Sequence, residues 1–265
     1  MPFLARDSGV QIYYEVHGKG MPLILSHGYS STSEMWQGQI ESFTKAGYKL
    51  ITWDMRGHGQ SSYPPQQFLY SEAHTVADIE AILNIVCGPK TSVIVGGLSL
   101  GGYMSLAYYR MHPERVKALL IIDTGPGFKS DAARDGWNKT AQETGARFEN
   151  DGLAHLQSSS MSPERRQVTH RDATGLALAA RGMLAQQNAA VIESLPNVQV
   201  PALIVVGGND KLFLAASEYM TKKIPGAKKV VIPDAGHAAN IDQPKLFNDA
   251  VLAFLASLGP AKARM

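Results

Sequence analysis

The stretch that decides the fold is "VIVGGLSLGGYMSLAYY", residues 93–109. An apolar, β-branched run stops at two glycines, a single serine, Ser99, follows, and two more glycines precede a helix-like pattern. Residues 97–101 fit the pattern Gly-x-Ser-x-Gly, in which a strand turns sharply into a helix and exposes the serine hydroxyl. Small neighbours are needed there because the serine takes strained backbone angles. The pattern and its context favour a nucleophile over an incidental serine in a glycine-rich turn.

Strand patterns and helix patterns alternate along most of the chain. An alternating run at residues 10–18 is typical of an antiparallel strand near an edge, and six later apolar runs are typical of strands buried on both faces. The sequence predicts helices between them, at residues 34–46, 72–87, 100–111, 215–224 and 244–258. This alternation predicts an α/β fold with a mostly parallel sheet, whose ligand site lies outside the carboxyl ends of the strands.

One interval, residues 128–196, lacks strand patterns and contains several helical ones. Because the sheet pattern continues on both sides, we interpret it as an inserted helical lid on a core formed by residues 1–127 and 197–265. Its amphipathic segment "GLALAARGMLAQQ" carries an apolar stripe, which is more often core than substrate pocket. The stripe consists of Leu176, Ala180, Met183 and Leu184.

A serine hydroxyl needs a base to remove its proton and a third group to orient that base. Asp210 follows one late strand and His237 lies in the loop after the next, which gives the order Ser99, Asp210, His237. This is the serine, acid, histidine order of hydrolases with the Gly-x-Ser-x-Gly turn. Asp123, at an earlier strand end, is a rival acid, whereas Asp234 lies in the same loop as His237 and suits a structural role. Asp210 could also cap the helix that follows it.

Composition narrows the choice of partners and compartment. The chain has 265 residues, with 25 basic and 23 acidic side chains in no long block, which argues against nucleic acid and membrane partners. Cys87, the single cysteine, cannot form an internal disulfide, and there is no pattern of a secretory signal or membrane helix. We expect a cytoplasmic protein, monomer or homodimer, that acts on a small molecule without a metal or cofactor.

Five motifs together resemble the alpha/beta-hydrolase superfamily over nearly the whole chain. The closest resemblance is to its small serine esterases, enol-lactonases and cofactor-free haloperoxidases or perhydrolases. The resemblance implies an eight-stranded, mostly parallel sheet flanked by helices, with a helical lid. The motifs are "SHGYS" at residues 26–30, "DMRGHGQSS" at 54–62, "GLSLGG" at 97–102, "GGND" at 207–210 and "AGHAANIDQP" at 235–244.

The resemblance also implies an oxyanion hole formed by the backbone amides of Tyr29 and Leu100. Fixed donors there stabilise the charge that acyl transfer places on one oxygen. His27, Asp54, Arg56 and His58 are expected to organise loops rather than react. We expect a substrate pocket lined by aromatic and apolar side chains in or beside the lid: Tyr29, Phe128, Trp137, Met161, Met183 and Phe213.

The predicted reaction is hydrolysis of a carboxylic ester through an acyl-enzyme. A serine at position 99 argues against haloalkane dehalogenase and epoxide hydrolase chemistry, which uses a carboxylate in that place. Lactone hydrolysis, cleavage of a carbon–carbon bond in a dienoate, and peracid formation use the same residues and remain alternatives. A small-molecule receptor on the same fold is a further alternative, because fold alone does not decide function.

Overall fold

The computed structural model describes residues 3–157, 161–166 and 168–259. Eight strands are formed by β1 Phe3–Ala5, β2 Gln11–His17, β3 Met21–Ser26, β4 Tyr48–Trp53, β5 Val93–Leu98, β6 Val116–Ile122, β7 Ala202–Gly207 and β8 Lys228–Ile232. Ten α-helices are described: α1 Gln37–Lys45, α2 Glu72–Cys87, α3 Leu100–Met111, α4 Asp131–Asp151, α5 Pro163–Arg166, α6 Ala173–Ala179, α7 Ala190–Ser194, α8 Lys211–Lys223, α9 Ala239–Asp242 and α10 Pro244–Ala256.

All eight strands form one sheet, in the order β1-β2-β4-β3-β5-β6-β7-β8. Strand β2 pairs antiparallel with both of its neighbours, β1 and β4, and the remaining pairs are parallel. Strands β3, β5, β6 and β7 are nearly all buried, as their continuous apolar runs predict. The prediction of a fully buried strand is wrong for β8, which lies at the edge of the sheet and is mostly exposed. The predicted fold class is confirmed: an eight-stranded, mostly parallel sheet flanked by helices.

Strand β5 lies in the middle of the sheet, with β3 on one side and β6 on the other. Gly97 of β5 pairs with Ser26 of β3 and with Ile121 of β6. The carboxyl ends of these strands therefore meet at one edge. The polar loops that follow them are brought together there.

Each face of the sheet packs against its own apolar cluster. On one face, Phe43 of α1 and Phe247 and Val251 of α10 are buried against the strands. On the other face, the cluster includes side chains of α2, α3 and α8, such as Ile82 and Met220. Both faces are thus covered, which explains why the central strands alternate so little between apolar and polar residues.

The chain between β6 and β7 forms a helical insertion, the segment from α4 to α7. It also contains 3₁₀ turns at Gly152–Gln157 and Leu195–Asn197 and a π-turn at Ala180–Leu184. Of the expected apolar stripe, Leu176, Ala180 and Met183 are buried against the core. The insertion therefore packs over the strand ends.

Three elements differ from the sequence prediction. Strand β1 was not expected, because three residues are too short to show a period. The helix expected at residues 34–46 begins as a 3₁₀ turn, Ser33–Trp36, before α1. Helix α8 begins at Lys211 rather than residue 215, directly after Asp210, so the loop after β7 is short. Within the described ranges, no helix is long and apolar enough to cross a membrane.

Candidate active site

Ser99 stands between the last residue of β5 and the first residue of α3. Its backbone has φ 54° and ψ −117°, in a region that residues with a side chain rarely occupy. The Ser99 amide donates to the Ile122 carbonyl at 2.9 Å, and the Ser99 carbonyl accepts from the Thr124 hydroxyl at 2.7 Å. These bonds hold the strained turn in place and direct the serine side chain to the sheet edge.

The two glycines that flank the turn have almost no space around them. A Cβ on Gly101 would lie 2.2 Å from the Ser26 oxygen, and a Cβ on Gly97 would lie 2.5 Å from the Gly101 carbonyl carbon. A Cβ on Gly96 would lie 2.6 Å from the Cβ of Leu120 in the neighbouring strand. The glycines are therefore required by close contacts of backbone with strand and helix.

Asp210 and His237 come together at the same edge of the sheet. The Asp210 carboxylate accepts a hydrogen bond from Nδ1 of His237 at 2.8 Å. The Phe213 ring stacks on the imidazole, with ring centroids 5.2 Å apart. Asp210 is buried and His237 is partly exposed, at 7% and 25% of their side-chain surfaces. This leaves Nε2 of His237 as the nitrogen available for a reaction.

The surroundings of His237 act on its pKa in opposite directions. Burial lowers it, whereas the hydrogen bond from His237 to Asp210 and the charges of Asp210 and Glu164 raise it. The net result is a pKa above the ordinary value of 6.5. His237 and Ser99 line the same cavity. Among the described residues, His237 is hydrogen-bonded to Asp210 and not to Ser99. Such bonds often tighten only when substrate binds.

Asp123, the rival acid, has a different partner. Its Oδ1 accepts from the Gly207 amide at 2.7 Å, so it ties the end of β6 to the end of β7. Burial raises the pKa of Asp123 to about 8. A carboxyl group that is mostly protonated at neutral pH is a poor partner for an imidazolium. The geometry favours Asp210 as the acid that orients His237.

The two amides proposed for the oxyanion hole belong to segments that adjoin Ser99. Leu100 is the first residue of α3, where an amide has no partner within the helix. The loop that carries Tyr29 approaches from β3, and a Cβ on Gly28 would lie 3.5 Å from the Ser99 Cβ. The Tyr29 hydroxyl donates to the Leu176 carbonyl in the insertion at 2.8 Å, so its side chain is fixed.

His27 and His58 stabilise this loop. Nε2 of His27 accepts from the Met55 amide at 2.9 Å, and Nε2 of His58 accepts from the Ser30 amide at 3.0 Å. Burial lowers the pKa of both, which keeps them neutral and able to accept. A third histidine that the sequence did not indicate, His170, accepts from the Gly59 amide at 3.2 Å and so connects the insertion to the core.

Asp54 and Arg56 also hold loops rather than reach Ser99. The Asp54 carboxylate accepts from the Ser33 and Gln60 amides at 2.7 and 2.8 Å. The Arg56 guanidinium pairs with both carboxylate oxygens of Asp78, at 2.7 and 2.9 Å.

Two cavities meet at Ser99. The apolar cavity, about 220 Å³, lies between the insertion and α8. Its lining includes four of the six residues expected in the pocket: Phe128, Trp137, Met183 and Phe213. The polar cavity, about 330 Å³, contains Tyr29, Ser99, Asp210 and His237. Met161, which lies two residues before α5, is absent from the described lining of both cavities.

Several lining residues were not indicated by the sequence. Glu164 and Arg165, on α5, line the polar cavity. Gln186 lines the apolar cavity and exchanges two backbone–side-chain hydrogen bonds with Asn138, at 2.8 and 2.9 Å. These residues belong to the insertion, whose position depends on tertiary contacts. In the described part of the chain, no three His, Cys, Asp or Glu side chains are grouped as a metal site.

Known proteins provide an independent comparison. A family model described as the alpha/beta hydrolase fold matches residues 21–179 and 171–244. The chain is 27% identical over 241 residues to 3-oxoadipate enol-lactonase 1 of Acinetobacter baylyi, covering 89% of each. It is 27% identical over 266 residues to 2-hydroxy-6-oxo-6-(2'-aminophenyl)hexa-2,4-dienoic acid hydrolase of Metapseudomonas resinovorans, covering 94% of this chain and 88% of the other.

Among solved structures, a thermophilic esterase from Thermogutta terrifontis superposes with a TM-score of 0.80. The two chains are 25% identical and 97% of each is covered. The fold, the strained serine turn and the family match agree. This chain belongs to the alpha/beta hydrolase family, in the branch of small esterases, lactonases and haloperoxidases, and is a hydrolase.

Proposed function

We propose that the protein hydrolyses carboxylic esters through an acyl-enzyme formed on Ser99. The observation that carries the proposal is the hydrogen bond of 2.8 Å between Asp210 and His237, beside the strained Ser99 in one cavity. Similarity to an esterase and to a lactonase supports acyl transfer, because both reactions cleave the single bond between the acyl carbon and the ester oxygen.

Each group has one role in the proposed reaction. The Ser99 oxygen attacks the carbonyl carbon while Nε2 of His237 takes the serine proton, and Asp210 stabilises the imidazolium. The amides of Tyr29 and Leu100 donate to the carbonyl oxygen as it becomes negative, a contribution of about 3 kcal/mol each. The alcohol leaves with the proton from His237. Water then attacks the acyl-enzyme, with His237 again as base.

Turnover of 4-nitrophenyl butyrate tests this proposal. We expect Ser99→Ala to lose at least about 10³-fold in kcat while its circular dichroism and melting temperature stay those of the wild type. Ser105→Ala is the matched control, because that buried hydroxyl donates to the Gly101 carbonyl and stays within α3. Near-native activity of Ser99→Ala would refute the proposal, and so would a ligand that stabilises the wild type without turnover.

Lactone or carbon–carbon bond hydrolysis is the second candidate, favoured by the similarity to the enol-lactonase and the dienoic acid hydrolase. Both reactions would use the same three residues. Parallel rates with an ester, a lactone and a ring-cleavage dienoate, each measured against Ser99→Ala, rank the three. The substrate with the highest Ser99-dependent kcat/KM is the assigned one.

A further inference from the structure

The polar cavity contains a guanidinium group beside the proposed nucleophile. Arg165, on the four-residue helix α5, lines this cavity with Ser99 and His237. The Arg165 guanidinium lies 5.9 Å from the centroid of the Tyr29 ring. A positive charge thus borders the space in which the proposed reaction takes place.

Arg165 has fewer partners than the other enclosed arginines. Its Nε donates to the Ser30 hydroxyl at 2.6 Å, and among the described residues this is the only hydrogen bond of the Arg165 side chain. Arg56, by comparison, is paired with both oxygens of Asp78, and Arg115 with Glu80 at 2.7 Å. The terminal nitrogens of Arg165 therefore have donors to offer, in the planar geometry that binds a carboxylate through two hydrogen bonds.

A poorly solvated guanidinium needs an anion to offset its desolvation. Burial lowers the pKa of Arg165, although an arginine stays charged. The bonded Nε fixes the direction of the group, which reduces the entropy lost on binding a ligand. The side chain is thus charged and already oriented before a ligand enters.

We propose that Arg165 binds a carboxylate of the substrate, so that the protein prefers esters or lactones that carry a free carboxylate group. This inference rests on the proposed function, because it identifies the class of substrate for the same site. The carboxylate would lie in the polar cavity, and the hydrocarbon part of the substrate in the apolar cavity with Phe128, Trp137 and Met183.

Glu164 is the opposing charge in the same cavity. One of its oxygens accepts from the Ser162 hydroxyl, and the other has no partner among the described residues. Its charge raises the pKa of Arg165, although no ion pair joins the two side chains among the described residues. Glu164 also borders a neighbouring cavity with Glu34 and Asn240. Its charge would weaken the binding of an anion, which gives an additional variant to test.

Two matched pairs of esters test the proposal. Monoethyl adipate is compared with ethyl 6-methylheptanoate, and 4-butyryloxybutanoate with its isopropyl isostere, so the carboxylate is tried on the acyl and on the alcohol side. In at least one pair we expect the wild type to favour the carboxylate. Arg165→Gln should lower kcat/KM for that ester by about 10- to 100-fold, mainly through KM. The neutral partner should change by less than about threefold.

Three more variants separate recognition from support of the loop. Arg165→Lys keeps the charge but not the planar guanidinium. Its kcat/KM for the carboxylate ester should lie between those of the wild type and Arg165→Gln. Glu164→Gln should increase the preference for the carboxylate ester. Ser30→Ala removes the contact that orients Nε and leaves the guanidinium, so it should lower kcat/KM for the carboxylate ester by less than Arg165→Gln does. A change in loop geometry alone should lower kcat/KM for both esters of a pair equally.

If Arg165→Gln lowers kcat/KM equally for both esters of a pair, the proposal is overturned. A wild type that prefers neither ester in either pair would also overturn it. Turnover that survives in Ser99→Ala, or no turnover at all, would refute the proposed function instead. In that event, the role of Arg165 is tested by calorimetry. The affinity for adipate is compared between the single variant Ser99→Ala and the double variant Ser99→Ala, Arg165→Gln. Equal affinities of the two variants would overturn the inference.

Discussion

The backbone of Ser99, with φ 54°, is the clearest sign of function at the scale of single residues. Strain of this kind persists only where the surroundings hold it, and here the bonds to Ile122 and Thr124 do so. The hydrogen bond between Asp210 and His237 is the second sign, because it fixes one imidazole nitrogen and leaves the other for reaction.

The two candidate acids can be separated by substitution. We expect Asp210→Asn to lower kcat by about 10³- to 10⁴-fold, because the amide cannot stabilise the imidazolium and favours the wrong tautomer of His237. Asp123→Asn should cost less than about tenfold, since Asp123 is largely protonated at pH 7 and an amide has a similar shape. Ester kinetics of both variants, at equal folded fraction, provide the measurement. A larger loss in Asp123→Asn would reassign the acid.

The pH dependence of kcat/KM follows from the raised pKa of His237. His237 acts as a base only when it is neutral. Because its pKa is raised above 6.5, activity should begin to fall above pH 6.5 as the pH is lowered. In Asp210→Asn, burial remains and the hydrogen bond and charge of the carboxylate are gone, so the acidic limb of the residual activity should move to lower pH than in the wild type. Profiles of kcat/KM against pH test this. An identical acidic limb in both proteins would contradict it.

At the scale of elements, the turn from β5 to α3 depends on glycine for reasons of space. The first turn of α3 packs directly on the carbonyl of Ser26 in β3, and a Cβ on Gly101 would lie 2.2 Å from that oxygen. A clash with backbone atoms cannot be relieved by rotation of a side chain. The stability of this junction and the geometry of Ser99 are therefore coupled.

Gly101→Ala should both destabilise the protein and lower its activity. We expect a loss of more than about 2 kcal/mol in the free energy of unfolding, as for overpacked cores. Gly136→Ala is the control: Gly136 lies in α4 with no atom within 4 Å of a Cβ, and alanine there should stabilise the helix by up to about 1 kcal/mol. Urea denaturation of both variants gives the comparison. Equal stabilities would contradict the steric account.

Elements that begin at a local sequence signal are predicted better than elements held by distant contacts. Helix α2 and the junction of β5 with α3 lie where expected, because a cap at Ser71 and the glycine turn mark their starts locally. Helix α5, in contrast, has four residues and is held by the Ser31 hydroxyl, which donates to the Glu164 carbonyl at 2.8 Å. A contact across 133 residues has no local signal.

At the scale of the whole molecule, the sheet brings the ends of β5, β7 and β8 to one edge, and the helical insertion covers it. The predicted Ser99, Asp210 and His237 meet at that edge because each follows a strand whose apolar run is evident in the sequence. Arg165 could not be placed in the same way, since its position depends on how the insertion packs on the core. The candidate active site is thus predictable from motifs, whereas the residue proposed for substrate recognition is not.

The central claim is that Ser99 is the nucleophile, and covalent labelling tests it most directly. The enzyme is treated with diethyl 4-nitrophenyl phosphate, and the modified peptide is located by mass spectrometry. The account predicts one diethylphosphoryl group per chain, on Ser99, with loss of esterase activity in proportion to labelling, and no modification of Ser99→Ala. Stoichiometric labelling of another residue, or full activity after Ser99 has reacted, would contradict the account.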